Sequence, residues 1–268
     1  MSTLRRALPA YWRMSVAGML QYRASIALWA VWGVVYPTVA LVVWGAAQRS
    51  SEQAEIGGYD AHEFAAYFLL TMVISHVTAA WDLFEMGWLV RSGGMSPRLL
   101  RPILPLWTNV TDNLAYKVVT LTMLVPIWLI VAWAAQPRFH TTTAHLGLGI
   151  AALTLAAALN FILGYALALV AFWTTRIDGL AGAYFGASLM FGGRFAPLSV
   201  LPAAIAWIPE LLPFKWITWF PAEVLAGRLP LAHAGLGLLA QLGWLAFSIT
   251  LFKVLWPAAL KRYSAVGA

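Results

Sequence analysis

The chain has 268 residues, 62% of them hydrophobic and 10% charged, with a mean hydropathy of +0.76 and a formal net charge of +7. Soluble domains carry about 25% charged residues, so a single aqueous core is excluded and lipid becomes the expected solvent; there the backbone must satisfy its own polar groups, as helices or as a closed barrel. There is no cysteine, which excludes disulfides, thiolate metal sites and thiol nucleophiles.

In chain order, residues 4–23 read as an amphipathic helix. At 100° per residue, Leu4, Leu8, Tyr11, Trp12, Met19 and Tyr22 share one side, and Arg6 and Arg13 fall nearly opposite. That pattern suits a helix lying in the membrane interface, with Tyr11, Trp12 and Arg13 at the boundary. No basic start followed by a short pure apolar core is visible, so no cleavable signal peptide is expected, and the first span serves as an uncleaved signal.

Six apolar runs reach spanning length, roughly 20 residues. They are 24–46, 63–80, 117–135, 145–172, 179–201 and 235–257. Their continuity, without polar alternation, argues for helices over barrel strands. The expected architecture is therefore an all-α integral membrane protein: residues 1–23 as an interfacial helix, and 24–268 as one six-span domain. Lys and Arg gather on the inner side of spans. Placing the N-terminus inside leaves only Arg49, Arg138, Arg194, Lys215 and Arg228 outside, and also puts Lys261 and Arg262 inside. Trp107, Trp207, Trp216 and Trp219 fall near predicted boundaries, as an aromatic belt requires.

The predicted inner segment 81–116 carries Arg91, Arg98 and Arg101 beside a Gly93-Gly94 pair. Ser96-Pro97 reads as an N-cap followed by proline at the first helical position, and Pro102 as a stop. A short arginine-bearing turn suits docking on a partner; an ordinary positive-inside loop explains the same residues equally well. Between 202 and 230, Pro202, Pro209, Pro213, Pro221 and Pro230 cut an apolar stretch into pieces too short to span. Two short helices that enter the outer leaflet and return are expected there, since a seventh span would export Lys261 and Arg262. Gly182 and Gly186 have the spacing of close helix packing.

Three strings carry a family resemblance: QYRASIALW at 21–29, RSGGMSPRLLRP at 91–102 and LLPFKWITWFPAEVLAG at 211–227. Together, in this order, they are similar to one branch of the type-2 ATP-binding-cassette permeases, exporter-like six-span subunits. The resemblance implies that the N-terminal helix is a connecting helix. It implies that Arg91, Arg98, Leu99, Leu100, Arg101 and Pro102 form the element that couples to an ATPase. It implies that the segment holding Pro213, Phe214, Pro221 and Gly227 is the re-entrant pair. It further implies two permease chains, identical or sister, over two ATPase chains that hold the ATP and magnesium, in a prokaryotic cell membrane with both termini cytoplasmic.

The sequence has no G-x-x-x-x-G-K-[ST] phosphate loop, so the nucleotide is expected in the partner. Ionisable residues at mid-span are almost absent. His76 and Asn160 read as an interface anchor and interhelical glue, and Asp178 with Arg176 as flanks of a turn. No enzyme motif and no clustered metal ligands are apparent. The expected activity is ATP-driven export of an amphiphilic or apolar cargo. A lipid-acting enzyme would need a polar cluster, for which Glu210, Lys215 and Glu223 are the outer candidates. An ion-coupled carrier would need a buried carboxylate or a broken-helix ion site.

Overall fold

The computed structural model describes residues 2–53, 55–174 and 176–263. Among them there is no β-strand; one isolated bridge joins Ile56 and Tyr59. Five helical stretches are long and apolar enough to cross a membrane: Arg23–Ser50, Ala61–Arg91, Pro105–Ala135, Thr143–Phe172 and Leu231–Arg262.

Helix α1 (Ser2–Gln21) runs almost directly into α2 (Arg23–Ser50). Only Tyr22, at ψ 30°, departs from helical geometry. The hydrogen-bond ladder survives the joint, from Tyr22 N–H to Gly18 O at 3.1 Å and from Ile26 N–H to Tyr22 O at 3.1 Å. Ser15 seats α1 on the later helix α6 (Pro105–Ala135), its hydroxyl donating to Asp112 Oδ1 at 2.5 Å.

Helix α3 (Ala61–Thr78) starts with a reciprocal cap: Asp60 accepts from the His62 and Glu63 amides, and Glu63 accepts from the Asp60 amide. A short step leads to α4 (Asp82–Arg91), then across Gly93 (φ 71°) to the five-residue α5 (Met95–Leu99). Residues 82–91 are thus helical where a loop was expected. The turn of α5 begins at Met95 with Gly94 before it, not at Pro97 with Ser96 as cap. Pro97 still sits in the first turn, where its missing N–H costs nothing. Helix α6 opens with Pro105 at its first position, twelve residues ahead of the predicted start at Lys117.

Helix α7 (Thr143–Ala168), extended by a 3-10 turn at Leu169–Phe172, is the hub. It packs against α3, α4 and the last helix, α11 (Leu231–Arg262). Small residues make the close approaches possible: Ala152 and Ala156 are fully buried, and a Cβ on Gly149 would meet Leu225. The lipid-facing character lies on the outer helices. Leu28 on α2, Ile130 on α6 and Leu239 on α11 are each at least 64% exposed, as a bilayer solvent requires.

The predicted fifth span is shorter than expected. Helix α8 (Asp178–Phe191) has 14 residues, roughly 21 Å at 1.5 Å per residue, against a hydrocarbon core of about 30 Å. It stops at Gly192-Gly193. Gly193 has φ 81° and no room for a side chain, because a Cβ there would meet the Tyr67 hydroxyl and Trp219. Tyr67 donates to Gly193 O at 2.5 Å and the Trp219 amide to Gly192 O at 3.0 Å. Gly182 and Gly186, read as packing glycines, have open space around the position a Cβ would take.

The proline-broken stretch folds into short pieces: a 3-10 turn Ile208–Leu211, then α9 (Phe214–Ile217) and α10 (Trp219–Ala226), separated at Thr218. Pro213 precedes α9, and Pro221 is the third residue of α10, where its missing N–H breaks no internal bond. Both helices lean on α7, and α10 also packs on α3. Phe214, Phe220 and Val224 are buried.

Candidate functional site

Two polar constellations stand at opposite ends of α3. The first centres on α4, α5 and the start of α6. Asn109, Asn113 and Lys117 recur every four residues and therefore share one face of α6. Asn109 is buried and takes Arg98 Nη1 on its Oδ1 at 2.9 Å, while its amide donates to Asp82. Asn113 donates to Ala79 O at 2.8 Å and accepts from Lys117 Nζ at 2.6 Å. The stripe ties the ends of α3 and α4 to α6.

This frame holds α5 at three points. Met95 is fully buried, in a cluster that Leu99 joins. Ser96 Oγ lies 2.7 Å from the Tyr263 hydroxyl, beyond the end of α11. Arg98 reaches inward to Asn109. What remains outside is Arg91, Pro97, Leu100, Arg101 and Pro102, with Leu100 at 87% exposure. The Arg101 guanidinium lies 5.8 Å from the ring centre of Tyr11. The N-terminal helix, on which Trp12 is half-buried and Arg13 exposed, and the arginine-bearing turn therefore meet. Of the residues singled out from the sequence, Leu100, Arg101 and Pro102 are exposed and Arg101 meets Tyr11, whereas Arg98 and Leu99 serve the interior.

Arg98→Ala is expected to lower stability by about 1.5–3 kcal/mol, the loss of a charge-assisted hydrogen bond inside a network. Unfolding in SDS titrations checks it, and a loss below about 0.5 kcal/mol would place Arg98 among ordinary surface residues.

The second constellation lies at the start of α3. Arg228 Nη1 pairs with Glu63 Oε1 at 2.7 Å, and its Nε faces Glu223 Oε2 at 3.5 Å, an ion pair rather than a hydrogen bond. Its guanidinium covers the Tyr59 ring at 3.8 Å and donates to Gly58 O at 2.6 Å. Tyr59 donates to Glu223. His140 sits 3.1 Å from Glu63, and Arg138 binds Asp60 at 2.5 Å. Burial, more than any neighbour, pushes the Glu223 carboxyl and the Tyr59 hydroxyl above their ordinary ranges; for Glu223 the Tyr59 and Arg228 contacts pull the other way. Burial would also raise Asp60, but the Glu63 amide, Arg138 and the His62 amide together hold it below the usual carboxylate range.

The three outer candidates named from the sequence do not converge. Glu223 belongs to this clasp, whereas Lys215 pairs with Glu210 and lies 5.0 Å from the rings of both Trp216 and Trp219. Gly227 (φ 75°) ends α10 against the His140 backbone. Asn160 bridges helices as glue: it donates to Thr78 O at 2.8 Å and accepts from Tyr184 at 2.7 Å. His76 contacts Lys117 O at 3.2 Å. Among the described residues no group of three or more His, Asp or Glu side chains could hold a metal ion.

Long apolar helices around a buried hub, joined by short polar clasps, define a polytopic helical membrane protein with a docking-sized turn at one end. The family model described as "ABC-2 family transporter protein" matches residues 34–267, and the chain belongs to that family of ATP-binding-cassette permeases. It is a membrane transport subunit, and permeases of this family generally work with an ATP-binding-cassette ATPase. Neither a curated protein nor a solved structure matches the chain.

Proposed function

We propose that the chain is the membrane half of an ATP-driven exporter for amphiphilic or apolar cargo. Two permeases, identical or sister, stand over two ATPase subunits that bind ATP and magnesium. The layout has six crossings of a prokaryotic cell membrane, with both termini cytoplasmic; α8 and residues 192–201 make the short fifth crossing, and α9 and α10 re-enter the outer leaflet. The observation that carries the coupling role is the meeting of Arg101 with Tyr11 of α1, on an exposed turn that also carries Leu100 and Pro102. Behind that surface, rigid ties run to α6 through Arg98 and to the end of α11 through Ser96. A push on the turn is delivered to spanning helices, because hydrogen-bonded side chains transmit displacement where a free loop would absorb it.

The test is the double variant Leu100→Glu, Arg101→Glu, which reverses the charge and polarity of the outward surface and leaves Arg98 in place. Copurification of the ATPase subunit is expected to fall at least about tenfold, or 1.4 kcal/mol, with the unfolding transition of the permease unchanged. Undiminished association together with undiminished stimulated hydrolysis would remove the coupling role from this turn.

A further inference from the structure

Between α1, α2, α4 and α6 lies a cleft of about 420 Å³, within the range of small-molecule sites. Trp29, Trp81 and Tyr116 wall it, and Asp82, Glu85 and Asp112 stand along it. The rings hold one another: Trp29 and Trp81 meet edge to face at 5.8 Å, and Trp81 and Tyr116 at 6.2 Å. Among the described residues no Lys, Arg or His lines the cleft. The neighbouring cations are hydrogen-bonded to amides, Arg98 to Asn109 and Lys117 to Asn113, although the Arg98 charge also acts on Asp82 and Glu85 from outside the lining.

The carboxylates differ in what they have left to offer. Asp82 accepts from Asn109 and is buried; Asp112 accepts from Ser15. The Glu85 carboxylate is exposed and makes no hydrogen bond among the described residues. A cavity with three aromatic rings and a carboxylate that no hydrogen bond engages among the described residues has the chemistry of organic-cation recognition. Ring faces attract the positive charge and displace its water, and the carboxylate neutralises it. The same cleft disfavours an anion, because it would be desolvated beside three acids with no cationic side chain in the lining.

We propose that this cleft receives the cationic head of an amphiphilic organic cation, with Trp29 and Trp81 as its aromatic wall and Glu85 as its counter-ion. That the occupant is cargo rests on the exporter reading; that the cleft binds it does not.

The test uses the full chain in lipid nanodiscs and radiolabelled tetraphenylphosphonium, with empty nanodiscs subtracted. Saturable binding is expected. It should weaken about tenfold in Glu85→Gln and again in Trp29→Leu, with both variants unfolding at the temperature of the parent. Tetraphenylborate, of the same shape and opposite charge, should not compete. Absence of saturable binding, equal displacement by tetraphenylborate, or binding indifferent to both substitutions would overturn the site. ATP-driven movement of the probe in vesicles with the ATPase subunit, measured separately, tests the other reading: substitution-sensitive binding without movement, or with movement indifferent to Glu85→Gln and Trp29→Leu, removes the occupant as cargo of this cleft and leaves the binding site.

Discussion

Replacing Arg228 with alanine is expected to destabilise the chain by about 3–5 kcal/mol, the cost of breaking a buried ion pair from one side. Arg228 is the only cation that touches both Glu63 and Glu223 among the described residues. Its removal leaves two carboxylates facing each other, strips the Tyr59 ring of its cover and frees Gly58 O. Because Glu63 caps α3 and Glu223 lies on α10, the damage falls on the contact between these two helices. Arg228→Lys restores the charge but not the fork of donors, so it should recover less than half of the loss. Adding Glu223→Gln to Arg228→Ala should recover part of it, since one of the orphaned charges is then gone. SDS unfolding of the four proteins reads these values directly. A loss below about 1 kcal/mol for Arg228→Ala would mean that water screens the clasp as it does a surface pair.

Gly227→Ala should be comparably severe for a different reason. At φ 75° an L-residue costs about 1–2 kcal/mol. Here the added Cβ would also collide with the backbone of His140 and Thr141. That strand of chain cannot retreat without giving up the His140 amide bond to Ala226 O, 2.9 Å, and the Thr141 hydroxyl bond to Leu225 O, 2.5 Å. A total loss of about 3–5 kcal/mol is expected, in the range reserved for strain joined to broken hydrogen bonds. Gly182→Ala is the matched control, because its Cβ would meet nothing within 4 Å. It should be neutral or gain up to about 1 kcal/mol from helix propensity. Equal effects at the two positions would show that close backbone approach at Gly227 is not what fixes the residue there.

Five of the six expected spans were legible because a bilayer imposes a length and polarity that hydropathy measures directly. The fifth was overestimated because Gly192, Gly193 and the residues up to Leu201 keep the run apolar: hydropathy registers side chains, whereas α8 ends through backbone geometry at Gly193. The start of α6 was missed for the opposite reason. Asn109, Asp112 and Asn113 look like a loop by polarity, although the four-residue repeat of Asn109, Asn113 and Lys117 and Pro105 at the first position are helix signals. The inward use of Arg98 could not be read, because it depends on Asp82 and Asn109 arriving from two other segments. The clasp is more remote still, since Tyr59, Glu63, His140, Glu223 and Arg228 come from segments far apart in the chain. Only Glu223 stood out in the sequence, as an acid among prolines.

The joint at Tyr22 has a mechanical meaning. A loop between α1 and α2 would let either move while the other stayed still. Here peptide hydrogen bonds run through the bend, from Gly18 to Tyr22 and from Tyr22 to Ile26, so the two rods behave as one crank. Torque applied near Tyr11 reaches Trp29 within about five helical turns, and no flexible gasket lies between them to dissipate it.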